Sequence, residues 1–499
     1  MDFSDYVKHD AVGLADRVWR REVTADELLA LALRQCERAQ PKTNAICRMM
    51  ETEARDQLKK PLTGAFAGVP FLIKDLAQDY AGLPTSAGSR TMLQAVAAEH
   101  SHVVRCYLEA GLVIFGKTNL PELALKGVSD SQTFGRACNP WNAEHTPGGS
   151  SGGAAAAVAS GVVPMAAGND GGGSIRIPAA CCGLFGLKPS RGLISAGPAC
   201  GEYWFGAASE GVISRSVRDT AAALDVIAGG EPGDPFIVAK PAESLAQSMA
   251  KDPGRLRIGF TAVSPIGTEV HSEAKAAVER AAELLRGLGH EVEEASPDID
   301  GAALAKAFLH IYFGQVAAMV AQAGAAGAKR SDFELLSRVL ATLGGAVSAG
   351  ALTAHLLKWN EFARSLARFL QRYDMLLTPT LAHPPIMHGQ GDPSAAEQTL
   401  LDLLDRVGLL AFMARRGWLD STIDKIARDS LQYVPFTQLA NLTGVPAMTV
   451  PLHWTAAGLP LGVQFVARMG DEARLLQLAH QLETAQPWFD RLPAWVTKD

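Results

Sequence analysis

The sequence lacks the cysteine patterns of metal-binding and disulfide-rich proteins. Its seven cysteines form no CxxC pair and no spacing suited to zinc, which predicts reduced, buried thiols. The first residues, MDFSDYVKHDAVGLADRVWRR, carry acidic side chains and lack the basic, apolar and small-residue order of a signal peptide. We therefore expect a cytoplasmic protein that needs neither a metal nor another cofactor.

Concentrated positive charge is also missing. The net charge is -6 over 499 residues, and Lys and Arg are scattered, so the electrostatic footprint of a nucleic-acid-binding protein is absent. Residues 307–328 carry no formal charge, but His310, two glutamines and three glycines favour a buried or pocket-lining helix over a membrane span. The expected partner is a small molecule, with neither nucleic acid nor membrane.

Alternating strand and helix patterns predict an α/β fold. The stretch TADELLALALRQCERA begins with Thr24 and Glu27 at the spacing of a capping box, which predicts a helix. The apolar runs AGVPFLIKD, which ends near Lys74, and GLVIFGKTN are typical of strands, with a helical pattern between them. Strand, helix and strand in this order indicate a parallel or mixed sheet.

The remaining chain divides by its patterns. After a linker-like stretch between Gly229 and Gly254, LRIGFTAV and HEVEEA flank the helical pattern SEAKAAVERAAELLRGLG, which is expected to end at Gly289. Residues 303–429 are mostly helical in pattern and are expected to supply pocket walls rather than sheet. Two strands and a helix are predicted within residues 433–490, from GVPAMTVPL, LPLGVQFVA and DEARLLQLAHQLETA.

Glycines surround a serine in the stretch GNDGGGSIRIP. Gly171, Gly172 and Gly173 let successive backbone N–H groups point into one concavity that favours an anion. Ser174 follows them, just before a predicted helix with Pro178 in its first turn. A nucleophile beside an oxyanion hole is what acyl transfer needs. A structural glycine-rich turn remains an alternative, whereas no GK[ST] follows the loop to support phosphate binding.

Two further serines stand in GGSSGGAAAAVASG. Ser150 and Ser151 occupy the N-cap region of the helix that the alanine run predicts, and capping alone would explain one of them. The letters also match the G-x-S-x-G nucleophile elbow, which requires a strand immediately before it. The preceding NPWNAEHTP is loop-like, so the elbow interpretation fails.

A general base is needed, and Lys74 is the candidate. An apolar strand would carry it into a dry interior, where its pKa must fall by about 3 units from its ordinary value near 10.4. Asp75 would oppose this fall, but successive strand side chains point to opposite faces. An exposed lysine at a strand end is the alternative.

These stretches together resemble the amidase signature family of serine hydrolases. GGSSGGAAAAVASG and GNDGGGSIRIPAACCGLFGLKPSRG match its signature, with serines at positions 150 and 174, 24 residues apart. GVPFLIKD, FGKTNLPE, GVISRSVRDTAAALDVIAG and NLTGVPAMTVPL fall in family order, so only residues 303–429 are unmatched. The resemblance implies one α/β domain over residues 1–499, with a central mixed β-sheet between helices, a core at 60–230 and a mostly helical insertion.

The resemblance also implies a catalytic triad. It assigns Ser174 as the nucleophile, Ser150 as a bridging serine after a cis peptide, and Lys74 as the general base. The backbone N–H groups that would hold the oxyanion are those of Gly171, Gly172, Gly173 and Ser174. The side chains that would brace the two loops are those of Ser151, Asp170 and Arg176.

The implied activity is hydrolysis of carboxylic amides through an acyl-enzyme, with anilides, esters, carbamates and aminohexanoate oligomers as further substrate classes. Gly171 stands where many members have Thr, and the stretch looks closest to the branch that includes 6-aminohexanoate cyclic-dimer hydrolase. The alternative function is the glutamine-hydrolysing subunit of a tRNA-dependent amidotransferase. The family also suggests a homodimer. A scaffold without chemistry is disfavoured, because all three triad positions are present.

Overall fold

The chain alternates strands and helices along most of its length, in a computed structural model that describes residues 1–497, apart from the side chains of residues 420–424 and 427. The described strands β1 to β13 are, in chain order, Ile46–Met49, Pro70–Lys74, Val113–Thr118, Asp130–Ser131, Gly135–Arg136, Met165–Asp170, Phe185–Lys188, Ser209–Ser214, Arg257–Phe260, Glu291–Glu294, Met375–Pro379, Ala447–Trp454 and Pro460–Val466. The described helices α1 to α18 are Phe3–Tyr6, Ala11–Trp19, Ala25–Thr43, Glu51–Leu58, His102–Glu109, Gly152–Ala159, Arg176–Cys182, Val217–Ile227, Leu245–Ser248, Ser272–Gly287, Gly301–Ala325, Leu335–Gly344, Ala349–Arg372, Ala395–Arg406, Leu409–Arg415, Asp420–Leu431, Gln438–Thr443 and Glu472–Ala485.

A central mixed sheet organises the molecule. Its eight strands run in the order β10-β9-β11-β13-β12-β7-β8-β6, with β9 parallel to β10 and β11 and the other pairs antiparallel. Side chains alternate along its strands: Met165 and Ala167 pack with α8, α10 and α18, whereas Ala166 packs with α3, α6 and α7. The expected mixed sheet between helices is confirmed.

A smaller sheet carries the predicted base. It has the order β1-β3-β2, with β2 parallel to β3, and β2 packs beside β6 of the central sheet. β2 ends at Lys74 as the sequence predicts. The capping box at the start of α3 is also confirmed, because Thr24 and Glu27 exchange both hydrogen bonds.

The segment 303–429 is helical as predicted, with one correction. β11, Met375–Pro379, lies inside it and occupies the middle of the central sheet, between β9 and β13. All five residues of β11 are buried, so the strand is a short apolar run without polar alternation. Such a run directly after the long helix α13 cannot be distinguished from a helix by its period.

The uncharged helix α11, Gly301–Ala325, packs against α12 and α13. By length and composition it could cross a membrane, as could the bent pair of α12 and α13, whose axes differ by 96°. Half of its most apolar window is buried inside the protein. Leu304, Phe308, Ile311 and Tyr312 are among its buried residues, as expected for a helix that packs inside the protein.

The contact between α11 and α12 depends on Gly344, which leads to a testable prediction. A Cβ on Gly344 would lie 2.0 Å from the Phe313 carbonyl oxygen, so Gly344→Ala must push two helix backbones apart. We expect it to lower the free energy of unfolding by about 1–3 kcal/mol in urea denaturation, despite the higher helix propensity of alanine. Gly345→Ala is the matched control, since its nearest atoms lie at 3.4 and 3.7 Å. Equal stability of the two variants would contradict this packing.

Candidate active site

Lys74 lies in the interior at the end of β2. All five residues of the strand are buried, and the Lys74 side chain is 0% exposed. Its Nζ lies 2.8 Å from Ser150 Oγ and 2.6 Å from Asn169 Oδ1. Two uncharged oxygen atoms therefore hold the amine.

The neighbouring acid, Asp75, points away from this site. Its carboxylate accepts a hydrogen bond from the backbone of Ser86 and lies 3.6 Å from Lys117 Nζ. Lys117 belongs to GLVIFGKT, which has the spacing of a phosphate-binding loop, but its residues from Val113 onward form the buried strand β3. Asp75 and Lys117 thus make a separate structural pair.

Burial changes the proton affinity of Lys74. Loss of hydration lowers the pKa of Lys74 from 10.5 to about 7, although the charges of Glu210 and Asp170 oppose the fall. A substantial fraction of the amine is then neutral at neutral pH. A neutral amine can accept a proton, as a general base must.

Ser150 and Ser151 connect the base to a second segment of chain. The peptide bond between Gly149 and Ser150 is cis, and a Cβ on Gly149 would lie 2.6 Å from the Val128 backbone nitrogen. Ser151 occupies the N-cap position of α6, but its side chain makes no capping hydrogen bond. Its Oγ instead donates to the Asn169 carbonyl at 3.4 Å. The side chains of Ser150 and Ser151 therefore bond to Lys74 and Asn169 instead of capping helix α6.

Ser174 lies in the loop between β6 and α7. It is partly exposed, whereas Gly173 and Ile175 on either side are buried. Its carbonyl oxygen accepts a hydrogen bond from the Ser151 backbone N–H at 3.3 Å. The structure thus places the loop of Ser174 directly beside the segment whose Ser150 contacts Lys74.

The backbone donors of this loop have different partners. The Gly173 N–H donates to Asp170 Oδ1 at 2.7 Å, so it is already engaged. Within residues 1–497, no acceptor is recorded for the N–H groups of Gly171, Gly172 and Ser174. Among the four expected oxyanion donors, Gly173 is therefore the one whose N–H already has a partner in the described part of the chain. Gly173 instead allows the loop to turn, because its φ of +127° is one that glycine adopts readily.

A buried ion pair anchors the loop. Arg176 Nη2 lies 2.9 Å from Asp170 Oδ1, and both side chains are 0% exposed. Burial alone would raise the pKa of Asp170, but the Arg176 charge and hydrogen bonds outweigh it and hold that pKa well below its usual range. Arg176 Nη1 also donates to Gln464 Oε1 at 2.6 Å. The ion pair thus ties the two ends of the Ser174 loop to each other, and Arg176 also links the loop to strand β13.

Aromatic side chains cover the outer side of the glycines. A Cβ on Gly172 would lie 2.7 Å from Cζ of Phe308, and one on Gly171 would lie 3.4 Å from the Trp204 ring. Trp204 and Phe205 have φ of 57° and 54°, the left-handed region that bulky residues rarely adopt. Such strain concentrates at binding sites. An apolar wall formed partly by α11 therefore borders the two glycines, Gly171 and Gly172, that lie shortly before Ser174.

Several contacting residues were missed by the sequence analysis. Asn169 touches Lys74 and precedes Asp170 in GNDGGGSIRIP, so its place in that stretch was an available signal. The Gly172 carbonyl accepts hydrogen bonds from Thr437 Oγ1 and Gln438 Nε2, which come from a distant stretch without any recognisable pattern.

Within the described residues, no group of three or more His, Cys, Asp or Glu side chains could hold a metal ion.

Known proteins are similar to this chain in fold and in sequence. The Amidase family model matches residues 27–424 and 416–476. The chain is 34% identical to 6-aminohexanoate-cyclic-dimer hydrolase of Pseudomonas sp. (strain NK87), covering 97% of this chain and 96% of that protein. It is 35% identical to a lipoamidase of Enterococcus faecalis, covering 96% of this chain and 64% of that protein.

A solved structure of 6-aminohexanoate cyclic dimer hydrolase complexed with substrate aligns with a TM-score of 0.89. It is 33% identical, over 98% of this chain and 100% of that one. Family match, length and fold agree with the motifs around the buried lysine and the paired serines. The chain therefore belongs to the amidase signature family and is a hydrolase of carboxylic amide bonds.

Proposed function

We propose that this chain cleaves small-molecule amides through an acyl-enzyme on Ser174, with Ser150 as the bridge and Lys74 as the base. The observation that carries the proposal is the 2.8 Å contact between Lys74 Nζ and Ser150 Oγ in a fully buried setting. The Ser151 N–H ties the same segment to the Ser174 carbonyl. In this proposal the Ser150 hydroxyl is the group that passes the proton from nucleophile to base.

The proposed reaction begins with neutral Lys74. It accepts the Ser150 hydroxyl proton while Ser150 accepts that of Ser174, and the Ser174 oxygen bonds to the amide carbon. The N–H groups of Gly171, Gly172 and Ser174 would stabilise the oxyanion. Collapse breaks the C–N bond, and the proton returns through the serines to the departing amine. Water, giving a proton to the same path, then attacks the acyl carbon. The bond from that carbon to Ser174 Oγ breaks, the carboxylic acid leaves, and the proton returns to Ser174.

The surroundings of the loop support an apolar acyl group. Phe308 lies against Gly172, Trp204 lies near Gly171, and the Trp204 and Tyr312 ring centroids are 5.3 Å apart. Methylene chains pack on such a wall with little desolvation cost. We propose linear or cyclic aminohexanoate amides and related aliphatic amides as the substrate class, with anilides, esters and carbamates as further candidates. The proposal includes a single domain over residues 1–499, a cytoplasmic location and a homodimer.

The proposed nucleophile is tested by substitution. Ser174→Ala should lower kcat by at least about a thousandfold, because no acyl-enzyme can form. The measurement is amine or ammonia release from primary amides, glutamine, anilides, carbamates, and linear and cyclic 6-aminohexanoate amides, with the purified chain alone. Ser272→Ala, at the start of α10, is the control and should retain activity.

Ser174-dependent release from an amide other than glutamine supports the self-sufficient hydrolase. Full activity of Ser174→Ala would overturn the proposed nucleophile. Release from glutamine alone would instead favour the amidotransferase subunit, in which the same serines would produce ammonia for a partner.

The proposed base predicts the pH dependence. Neutral Lys74 is the active form, and its pKa lies at about 7, so kcat/KM should rise with pH, by about tenfold per unit below pH 7, and level off above it. Lys74→Met should be nearly inactive at every pH. Burial likewise lowers the pKa of Lys188 to about 7, but its Nζ donates to the Pro189 carbonyl. Lys188→Met is the matched control and should keep the acid limb, that is, the rise of kcat/KM with pH below pH 7. Loss of the acid limb in Lys188→Met alone would reject Lys74 as the base.

A further inference from the structure

A second carboxylate, Glu210, is buried beneath the lysine. It lies on β8 directly opposite Asn169 on β6, and only 4% of it is exposed. Directly paired residues on antiparallel strands share one face of the sheet. Glu210 therefore lies on the same side as the residue that contacts Lys74 Nζ, and it does so without touching the two serines.

Two amide side chains join Glu210 to the base. Gln78 Nε2 donates to Glu210 Oε2 at 2.7 Å, and its Oε1 accepts from the Lys74 backbone N–H at 2.6 Å. Asn169 Nδ2 donates to the Leu76 carbonyl at 3.1 Å and to Glu210 Oε1 at 3.4 Å, while its Oδ1 faces Lys74 Nζ. Each amide thus points its NH2 group toward the acid and its oxygen toward the lysine.

The chemistry of a carboxylate explains this orientation. Both amides direct N–H donors at Glu210, whose oxygens accept them, and these hydrogen bonds favour its ionised form against the effect of burial. If either amide flipped, an NH2 group would face a lysine N–H donor, and the buried contact would become repulsive. Glu210 therefore contributes to the orientation of both amides, together with the backbone carbonyls of Gly168 and Leu76, which accept from Gln78 Nε2 at 3.3 Å and from Asn169 Nδ2 at 3.1 Å.

We propose that Glu210 is a positioning residue for the base, fixing through Gln78 and Asn169 the orientation in which the Lys74 amine meets Ser150. This inference rests on the proposed function, since it assumes that Lys74 is the base. Glu210 makes no bond to the reacting atoms. Its contribution is the geometry of the amine and the electrostatic field around it.

The field adds a second consequence. Burial raises the pKa of Glu210 to about 7, and its negative charge raises the pKa of Lys74 against the effect of burial. Burial also raises the pKa values of nearby Tyr107, Cys200 and Tyr203, which keeps them neutral in the assay range. Asp170 also raises the pKa of Lys74, and Asp79 also raises the pKa of Glu210. Removal of the Glu210 charge alone should therefore make Lys74 lose its proton at lower pH.

The test compares two replacements of the acid in the full-length chain, on an amide that the wild type cleaves. Glu210→Gln keeps the length and removes the charge, so the acid limb of kcat/KM should move to lower pH by about 0.5–1 unit, with kcat reduced and KM nearly unchanged. Glu210→Asp keeps the charge and shortens the reach, so kcat should fall while the limb stays in place.

The control is Glu483→Gln, which replaces a carboxylate whose pKa is also raised by burial to about 7 but which bonds the Val217 backbone instead. It should retain the wild-type profile. A wild-type limb and kcat in Glu210→Gln would overturn the inference, as would a loss of stability with the limb unmoved. If Glu210→Gln does not fold, Glu210→Asp carries the test: lower kcat with the acid limb in place supports the inference, and wild-type kcat overturns it.

Failure of the proposed function has a different signature. In that case the wild-type chain shows no Ser174-dependent release, or Ser174→Ala remains active. Failure of the present inference leaves the Ser174 dependence intact and abolishes only the difference between the Glu210 variants and the wild type.

Discussion

The burial of one amine, that of Lys74, is the constraint on which the rest of the site depends. A lysine in a dry interior is costly when charged, and here it contacts two uncharged oxygens instead of a carboxylate. That choice keeps the amine able to accept a proton. A direct carboxylate partner would hold it charged and remove its basicity, which explains why Asp75 pairs with Lys117 on the other face.

A dry amine requires the surrounding chain to approach closely, and this accounts for the glycines. Gly149 lies against the Val128 backbone, and Gly173 lies against Thr437, where any Cβ would overlap. The ion pair of Asp170 and Arg176 holds the Ser174 loop in place, and neither of its charged side chains contacts the Lys74 amine. Removing either partner of such a buried pair would leave an uncompensated charge, at a cost of about 3–5 kcal/mol, so each of the two side chains depends on the other.

Local patterns in the sequence predict much of this structure, and the misses have physical causes. The signals for strand β2 and for the capped helix α3 lie within a few neighbouring residues, so the sequence alone predicts both elements. β11 was missed because a fully buried strand has no alternation. Gly173 was expected to donate to the oxyanion, but the direction of one N–H depends on where Asp170 lies in three dimensions. Glu210 and Gln464 reach the site through strand pairing over long separations, which a single sequence does not reveal.

In the proposed reaction, Ser174 and not Ser150 forms the covalent bond to the acyl group. Incubation with a slowly deacylating aryl carbamate or an organophosphonate, followed by mass spectrometry of the digested protein, tests it directly. One adduct is expected, on the peptide that contains Ser174, and none is expected on Ser174→Ala. An adduct on Ser150, or one that persists in Ser174→Ala, would contradict it.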